Sequence, residues 1–265
     1  MTSLLTQLDG ESAGAESAQR RQVSVVVPCY NESEGAEHLV ARLHALESQL
    51  REAYTCEFLF VDDGSTDDTA DRLRRLSASL PSARIISHTH NRGVAASIMT
   101  GVQASSSELV CSLDSDCSYD PMHLVDMLPL LVDGVDMVTA SPYHPDGAVL
   151  NVPAWRLSIS KCASAIYRRA LRQSLYTYTS CFRLYRKQSI TPIRLQNEGF
   201  VGIAELVWQL DQRGGTIVES PAKLDVRQYG QSKMRVAQVT WGHLGLLSRV
   251  FADRLVRRRP LGDSL

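Results

Sequence analysis

Glu108-Leu-Val-Cys-Ser-Leu-Asp-Ser-Asp-Cys-Ser-Tyr-Asp-Pro121 decides how the rest of the chain is read. Its apolar run, Leu109 to Leu113, is short and bounded by polar residues, which fits a strand buried on both faces. The run ends in Asp114, Ser115 and Asp116. A carboxylate pair at the C-terminal tip of such a strand projects into the crevice where open α/β sheets bind ligands. Two carboxylates flanking one small residue can address a single hard cation. Mg²⁺ and Mn²⁺ favour a few carboxylates supplemented by the oxygens of a bound phosphate. Asp120 and Pro121 fit the N-cap and first residue of a following helix. Taken alone, the tripeptide suits a water-facing, helix-capping loop better than a metal site. The flanking sequence reverses that balance.

Upstream, Val23 to Val27 is a β-branched run and a buried strand. It stops at Pro28-Cys-Tyr30-Asn-Glu32, and a helix follows with Ser33 as its expected N-cap. Glu57 to Val61 is a second strand, ending in Asp62-Asp63-Gly-Ser-Thr-Asp67. Ser65 and Asp68 have the spacing of a capping box. Ala83 to Ser87 is a third strand, followed by Asn91-Arg-Gly93 and a small-residue helix, Val94 to Ala104. Downstream come a helix over Leu124 to Val132 and a fifth strand, Asp136 to Ala140. Repeated strand-then-helix units predict a mostly parallel sheet with helices on both faces. Such a sheet gathers its carboxyl ends on one edge, so the polar tips at Tyr30-Glu32, Asp62-Asp63 and Asp114-Asp116 converge there. No G-x-G-x-x-G follows the first strand and no G-x-x-x-x-G-K-[ST] occurs, which disfavours a dinucleotide-binding dehydrogenase and a P-loop nucleotidase.

The 265 residues carry a net charge of −1, which gives no argument for nucleic-acid binding. The six cysteines form no C-x-x-C pair and read as reduced thiols of a cytoplasmic protein. His88 and His90 read as packed or surface histidines rather than metal ligands. We expect an N-terminal tail over 1–21, a globular domain over 22–234 and a C-terminal helix with a basic tail over 235–265. In the second half, Trp155 to Leu171 is a helix with Arg156, Lys161, Arg168 and Arg169 on one side. Tyr176 to Tyr185 is aromatic and partly alternating, and Arg227 to Lys233 is a glycine-containing cationic turn. Val236 to Val256 is helix-compatible, with Trp241, Leu244, Leu247, Phe251 and Leu255 on one face and Arg249 opposite. That face is expected to meet a membrane surface, the protein's own sheet or a second subunit of a homo-oligomer.

Together, VVVPCYNE, FVDDGSTDDT, NRGVAASIMTG, LDSDCSYDP, TSCFRLYR and RQYGQSK resemble a family-2 glycosyltransferase of the GT-A fold. Within it the chain is similar to the dolichol- or polyprenyl-phosphate mannose and glucose synthases, from about Val23 to Lys233. The resemblance implies an α/β GT-A domain, a GDP- or UDP-hexose donor, an Mg²⁺ or Mn²⁺ cofactor, and inverting transfer to a polyprenyl phosphate. It implies that Pro28, Tyr30 and Glu32 line the nucleoside, that Val61 and Asp63 contact the base, and that Asp114 and Ser115 meet ribose or phosphate. Asp114 and Asp116, with Ser118, would hold the cation; Arg227 and Lys233 would close over the diphosphate. Arg156 and Arg183 would meet the acceptor phosphate. The chain would work in the cytoplasm, with the cytoplasmic membrane face as its docking place. Four positions depart from the family pattern: Ser118 for glutamine, Pro142 for arginine, Val201 for lysine and Thr177 for aspartate. Two other readings stay open. In one, a hydroxyl acceptor is activated by Glu205 or Asp120; in the other, the scaffold binds a nucleotide-sugar without turning it over.

Overall fold

The β-branched run near the N-terminus extends into β1, Arg21–Cys29, the strand on which the sheet is centred. The computed structural model describes residues 20–80, 82–227, 229 and 236–258. In chain order the strands are β1, β2 (Tyr54–Asp62), β3 (Ala83–Ser87), β4 (Leu109–Ser112), β5 (Met137–Ser141), β6 (Ala148–Val149), β7 (Arg183–Arg186), β8 (Ile217–Pro221) and β9 (Lys223–Leu224). The helices are α1 (Ala36–Leu50), α2 (Thr69–Leu76), α3 (Val94–Ala104), α4 (His123–Met127), α5 (Ala154–Ala170), α6 (Lys187–Ile190), α7 (Phe200–Gln212) and α8 (Val236–Arg258).

The main sheet has seven strands in the order β3-β2-β1-β4-β7-β5-β8. β1 pairs in parallel with β2 on one side, from Arg21↔Tyr54 to Cys29↔Asp62, and with β4 on the other. The chain therefore leaves β1 in one direction and returns on its other side. The gap between the carboxyl ends of β1 and β4 is the topological switch point where such sheets bind ligands. β7 runs antiparallel to both β4 and β5, and β8 closes the edge in parallel with β5. β6 and β9 form a separate small ribbon.

Successive side chains of a strand point to opposite faces, and β1 uses both. Val23, Val25 and Val27 pack with Leu39, Leu43 and Leu46 of α1, while Val26 packs with Leu59, Ile98 and Val102 under α3 and α7. Full burial of each such aliphatic side chain contributes roughly 1.5–3 kcal/mol. Gly101 sets how closely α3 approaches: a Cβ there would lie 2.2 Å from Val26 Cγ1.

Local details differ from the sequence reading. Ser33 opens a 3-10 turn instead of capping α1, and its side chain makes no cap bond there. Ser65 forms no capping box; its Oγ accepts from the Asn31 amide, tying the tip of β2 to the tip of β1. The aromatic stretch Tyr176 to Tyr185 contributes to the sheet only through β7. The tail expected over 1–21 lies, up to residue 19, outside the described residues.

Candidate active site

One cavity of about 970 Å³ opens over the carboxyl ends of β1 and β4. Pro28, Tyr30, Glu32, Asp63, Asp114, Ser115, Asp116, Ser118 and Arg227 all line it. The strand tips are held rigidly. The Thr66 amide donates to Asn31 Oδ1 at 2.8 Å, and the Glu32 amide donates to Thr69 Oγ1 at 2.8 Å. Asn31 (φ 52°) and Cys117 (φ 51°) both adopt the left-handed region. Asparagine tolerates that region, whereas for cysteine it is uncommon and stores strain of the kind seen at ligand sites.

In the D-x-D turn the Ser118 amide donates to Asp116 Oδ1 at 2.9 Å, which fixes one oxygen of that carboxylate. The other oxygen, Oδ2, accepts from Arg227 Nε at 3.0 Å and Nη2 at 2.9 Å. Arg227 Nη2 also donates to Glu32 Oε1 at 3.0 Å. One guanidinium thus bridges the tip of β1 and the D-x-D turn, and its Nη1 is buried without a partner among the described residues. Burial, reinforced by the neighbouring Asp116 charge, pushes the Asp114 carboxyl up to about 7. Two carboxylates this close resist being charged together.

The donor set fits a hard divalent cation of low protein coordination. Two carboxylates and the Ser118 hydroxyl face one cavity, and no cluster of three His, Cys, Asp or Glu forms among the described residues. Mg²⁺ is typically bound through one or two carboxylates, with substrate phosphates and water completing its shell. A cation here would remove the mutual repulsion of Asp114 and Asp116, as positive charge favours the ionised form.

Asp63 is 3% exposed and accepts three hydrogen bonds: from the Arg92 amide at 2.9 Å, the Gly93 amide at 2.7 Å and the His88 ring at 2.7 Å. Gly93 is required there, because at φ 107° a Cβ would meet Glu198 O at 2.6 Å. The sequence reading placed His88 in a packed pattern and missed this contact. The signal was its place just after β3, on the same sheet edge as Asp62-Asp63.

Other expected residues lie elsewhere. Val61 is fully buried beneath α3 and does not line the cavity. Arg183 is fully buried, donating to the Tyr178 and Ile203 carbonyls at 2.8 Å each, and does not line the cavity. Arg156 lies in the first turn of α5, and its side chain is outside what the structure describes. Lys233 falls outside the described residues. The two candidate bases are already committed. Glu205 is fully buried and accepts from Arg249, Asn197 and Gln196, and Asp120 pairs with Arg42 and accepts from the Met122 amide.

The cavity runs from the D-x-D turn past Val152 and Pro153, just before α5, to Gln238, Val239 and Gly242 on α8. α8 packs its inner face, with Leu246, Leu247 and Val250 buried, against α5 and α7. The Arg249–Glu205 ion pair at 3.0 Å and a Tyr167–His243 hydrogen bond at 2.8 Å hold it there. Leu247 therefore belongs to the inner face, and Arg249 turns inward instead of toward solvent. Trp241 (75% exposed), Leu244 and Phe251 face outward. No helix among the described residues is long and apolar enough to cross a membrane.

A parallel sheet broken by one reversed strand, with a carboxylate pair at its switch point, defines a GT-A glycosyltransferase scaffold. The sequence model of glycosyl transferase family 2 matches residues 24–193, and the chain belongs to that family. The polyprenol monophosphomannose synthase of Mycolicibacterium smegmatis is 30% identical over 90% of this chain and 95% of its own length. The dolichol-phosphate mannosyltransferase of Pyrococcus furiosus is 29% identical over 81% of this chain, which spans 59% of that relative. Among solved structures, the glucosyl-3-phosphoglycerate synthase of Mycobacterium tuberculosis, in complex with Mn²⁺, UDP-glucose and phosphoglyceric acid, superposes with a TM-score of 0.67 at 20% identity. That match covers 87% of this chain and 80% of the other, and it shares the fold.

Proposed function

We propose that this protein transfers a hexose from a nucleoside-diphosphate sugar to a polyprenyl phosphate, with inversion, at the D-x-D end of the cavity. The observation that carries the reading is the cavity's span. It reaches from Asp114 and Asp116 to the starts of α5 and α8, so a water-soluble donor and a lipid-borne acceptor can meet inside it. The two relatives named above are mannosyltransferases whose names carry a polyprenol or a dolichol phosphate, and they support the acceptor class.

The residues divide the work. Pro28, Tyr30, Glu32 and Asp63 bind the nucleoside; Asp114 and Asp116, with Ser118, would hold Mg²⁺ or Mn²⁺ against the diphosphate. Bound there, the cation supplies Lewis-acid stabilisation of the leaving diphosphate. Arg227 has one guanidinium nitrogen still to satisfy, and we assign it to the departing phosphate oxygens together with Lys233. No general base is required: a phosphate monoester is largely an anion at neutral pH, with a second pKa of about 6 by analogy with phosphorylated side chains. That agrees with the full commitment of Glu205 and Asp120 to other partners. Arg156, at the start of α5 beside the cavity mouth, is assigned to the acceptor phosphate.

The outward face of α8, with Trp241, Leu244 and Phe251, docks the protein on the bilayer that contains the acceptor. α5, packed beside it, has no acidic residue and exposes Lys161, Arg168 and Arg169. Aromatic and apolar groups flanked by cations suit an anionic membrane surface. The test is an assay of metal-dependent hexose transfer from UDP- and GDP-sugars, with polyprenyl phosphate in vesicles or soluble sugars as acceptor. Product on the lipid is expected. Transfer to soluble hydroxyl acceptors alone would replace this reading.

A further inference from the structure

We propose that His88 is the positioning residue through which Asp63 reads the nucleobase of the donor, an inference that rests on the donor-site reading above. Asp63 sits at the tip of β2, lines the cavity and is almost wholly buried. An ionised carboxylate offers about four lone-pair sites. On Oδ1 two are filled, by His88 Nδ1 at 2.7 Å and the Arg92 amide at 2.9 Å. On Oδ2 one is filled, by the Gly93 amide at 2.7 Å. One acceptor site remains, on Oδ2, for one N–H of a base in the cavity.

The His88 ring is locked in place. Nδ1 donates, because a carboxylate only accepts, and Nε2 shares a hydrogen bond with the Thr100 hydroxyl at 3.0 Å. Thr100 is on α3 and His88 follows β3, so the relay spans the sheet edge and fixes the carboxylate plane from behind. The two amides hold one oxygen each, and the His88 bond is the one side-chain contact on the carboxylate among the described residues. His88 is 7% exposed at its side chain and does not line the cavity.

The test separates the base from the diphosphate. Binding of UDP, of GDP and of pyrophosphate is measured by calorimetry in the presence of Mn²⁺, for the wild-type chain and for His88→Phe, His88→Asn and Thr100→Val. For whichever nucleotide the wild-type chain binds, His88→Phe is expected to weaken it about tenfold, the loss of one oriented hydrogen bond. Pyrophosphate affinity is expected to stay unchanged. His88→Asn, which keeps a donor, should recover part of the loss, and Thr100→Val should give a smaller loss of the same sign. Equal loss for nucleotide and pyrophosphate, or unchanged nucleotide affinity in folded His88→Phe and Thr100→Val, overturns the assignment. Should His88→Phe fail to fold, Thr100→Val and His88→Asn decide by the same comparison. A wild-type chain that binds neither nucleotide overturns the donor-site reading itself.

Discussion

At the D-x-D end of the cavity, the tips of β1, β2 and β4 supply Glu32, Asp63, Asp114 and Asp116, tied together by backbone amides, Asn31 and Arg227. At the helical end, α5 and α8 supply cations and exposed apolar side chains without a negative counterpart on α5. The first end is held in shape before a ligand arrives, with its acidic side chains fixed by amides and Arg227 and an excess of negative charge left for a cation. The second is left unmatched, with Trp241 three-quarters exposed. Preorganised dipoles are what a site needs where charge changes during reaction; an unmatched amphipathic face needs a second body to complete it. The contrast supports the proposal that chemistry belongs to the sheet edge and docking to the helices.

The sharpest way to break this division is Asp116→Asn. The amide keeps the shape and still accepts at one oxygen, but loses the charge that competes with water for a hard cation. Turnover should fall at least about 100-fold, or about 2.7 kcal/mol of transition-state stabilisation, with an unchanged melting curve. Retained activity would remove the carboxylate pair from the chemistry. Arg227→Ala tests the same end. Since the charge it meets grows as diphosphate departs, kcat should drop about tenfold or more while donor affinity changes little. An effect confined to donor binding would make Arg227 a ground-state ligand.

The helical end is sharpened by Trp241→Ser combined with Phe251→Ser. Both side chains are exposed, so folding should be untouched. Co-flotation with anionic vesicles should drop severalfold, and KM for lipid acceptor should rise by a similar factor. Donor binding to the protein in solution should stay the same. Flotation equal to wild type would take docking away from this face. The last test concerns stability rather than activity, at the Glu205–Arg249 pair. Burial works against the Glu205 charge, but hydrogen bonds from Asn197 and Arg249 outweigh it and hold the carboxyl below its usual range. A depressed carboxyl contributes stability that is fully present above the unfolded value of about 4.3 and is lost as pH falls through the folded value. Thermal unfolding should therefore be flat in this contribution above about pH 5 and decline below it. Glu205→Gln should be less stable by about 1–3 kcal/mol near neutral pH and show a shallower acid decline. An unaltered acid slope in that variant would exclude Glu205 as its source.

Much of the sheet was legible because its first four strands carry their own punctuation. Each short apolar run ends in a polar tip and is followed by a helix with regular spacing, so order, direction and the shared edge followed together. That logic placed Asp114, Asp116, Glu32 and Asp63 on one shared edge, and there they line one cavity. β7 was not, because Arg-Leu-Tyr-Arg is four residues long and nothing in it encodes direction. The place of Arg183 depended on that strand: its two terminal nitrogens donate to the carbonyls of Ile203 and Tyr178, which only the folded chain brings together. Val61 was within reach of sequence reasoning, since the two-residue period of β2 puts it on the same face as Leu59. α8 divided its apolar residues between two surfaces, because its inner stripe is set by α5 and α7 rather than by its own heptad-like spacing. His88 was harder to see, because its one signal is its place just after β3, on the edge that carries Asp62-Asp63.

The reversed strand has a consequence for synthesis. β4 needs β7 on its outer side, and β5 has no neighbour in the main sheet except β7 and β8. As the chain emerges from the N-terminus, β1 to β4 can assemble while β5 waits with both edges bare. The wait lasts until Arg183–Arg186 is delivered, after the whole of α5 has been made. Long-range pairing of this kind is slow, and bare strand edges invite intermolecular pairing. Between completion of Ser141 and arrival of Arg186 the nascent sheet therefore has β5 without a partner, an exposure that the finished molecule no longer displays.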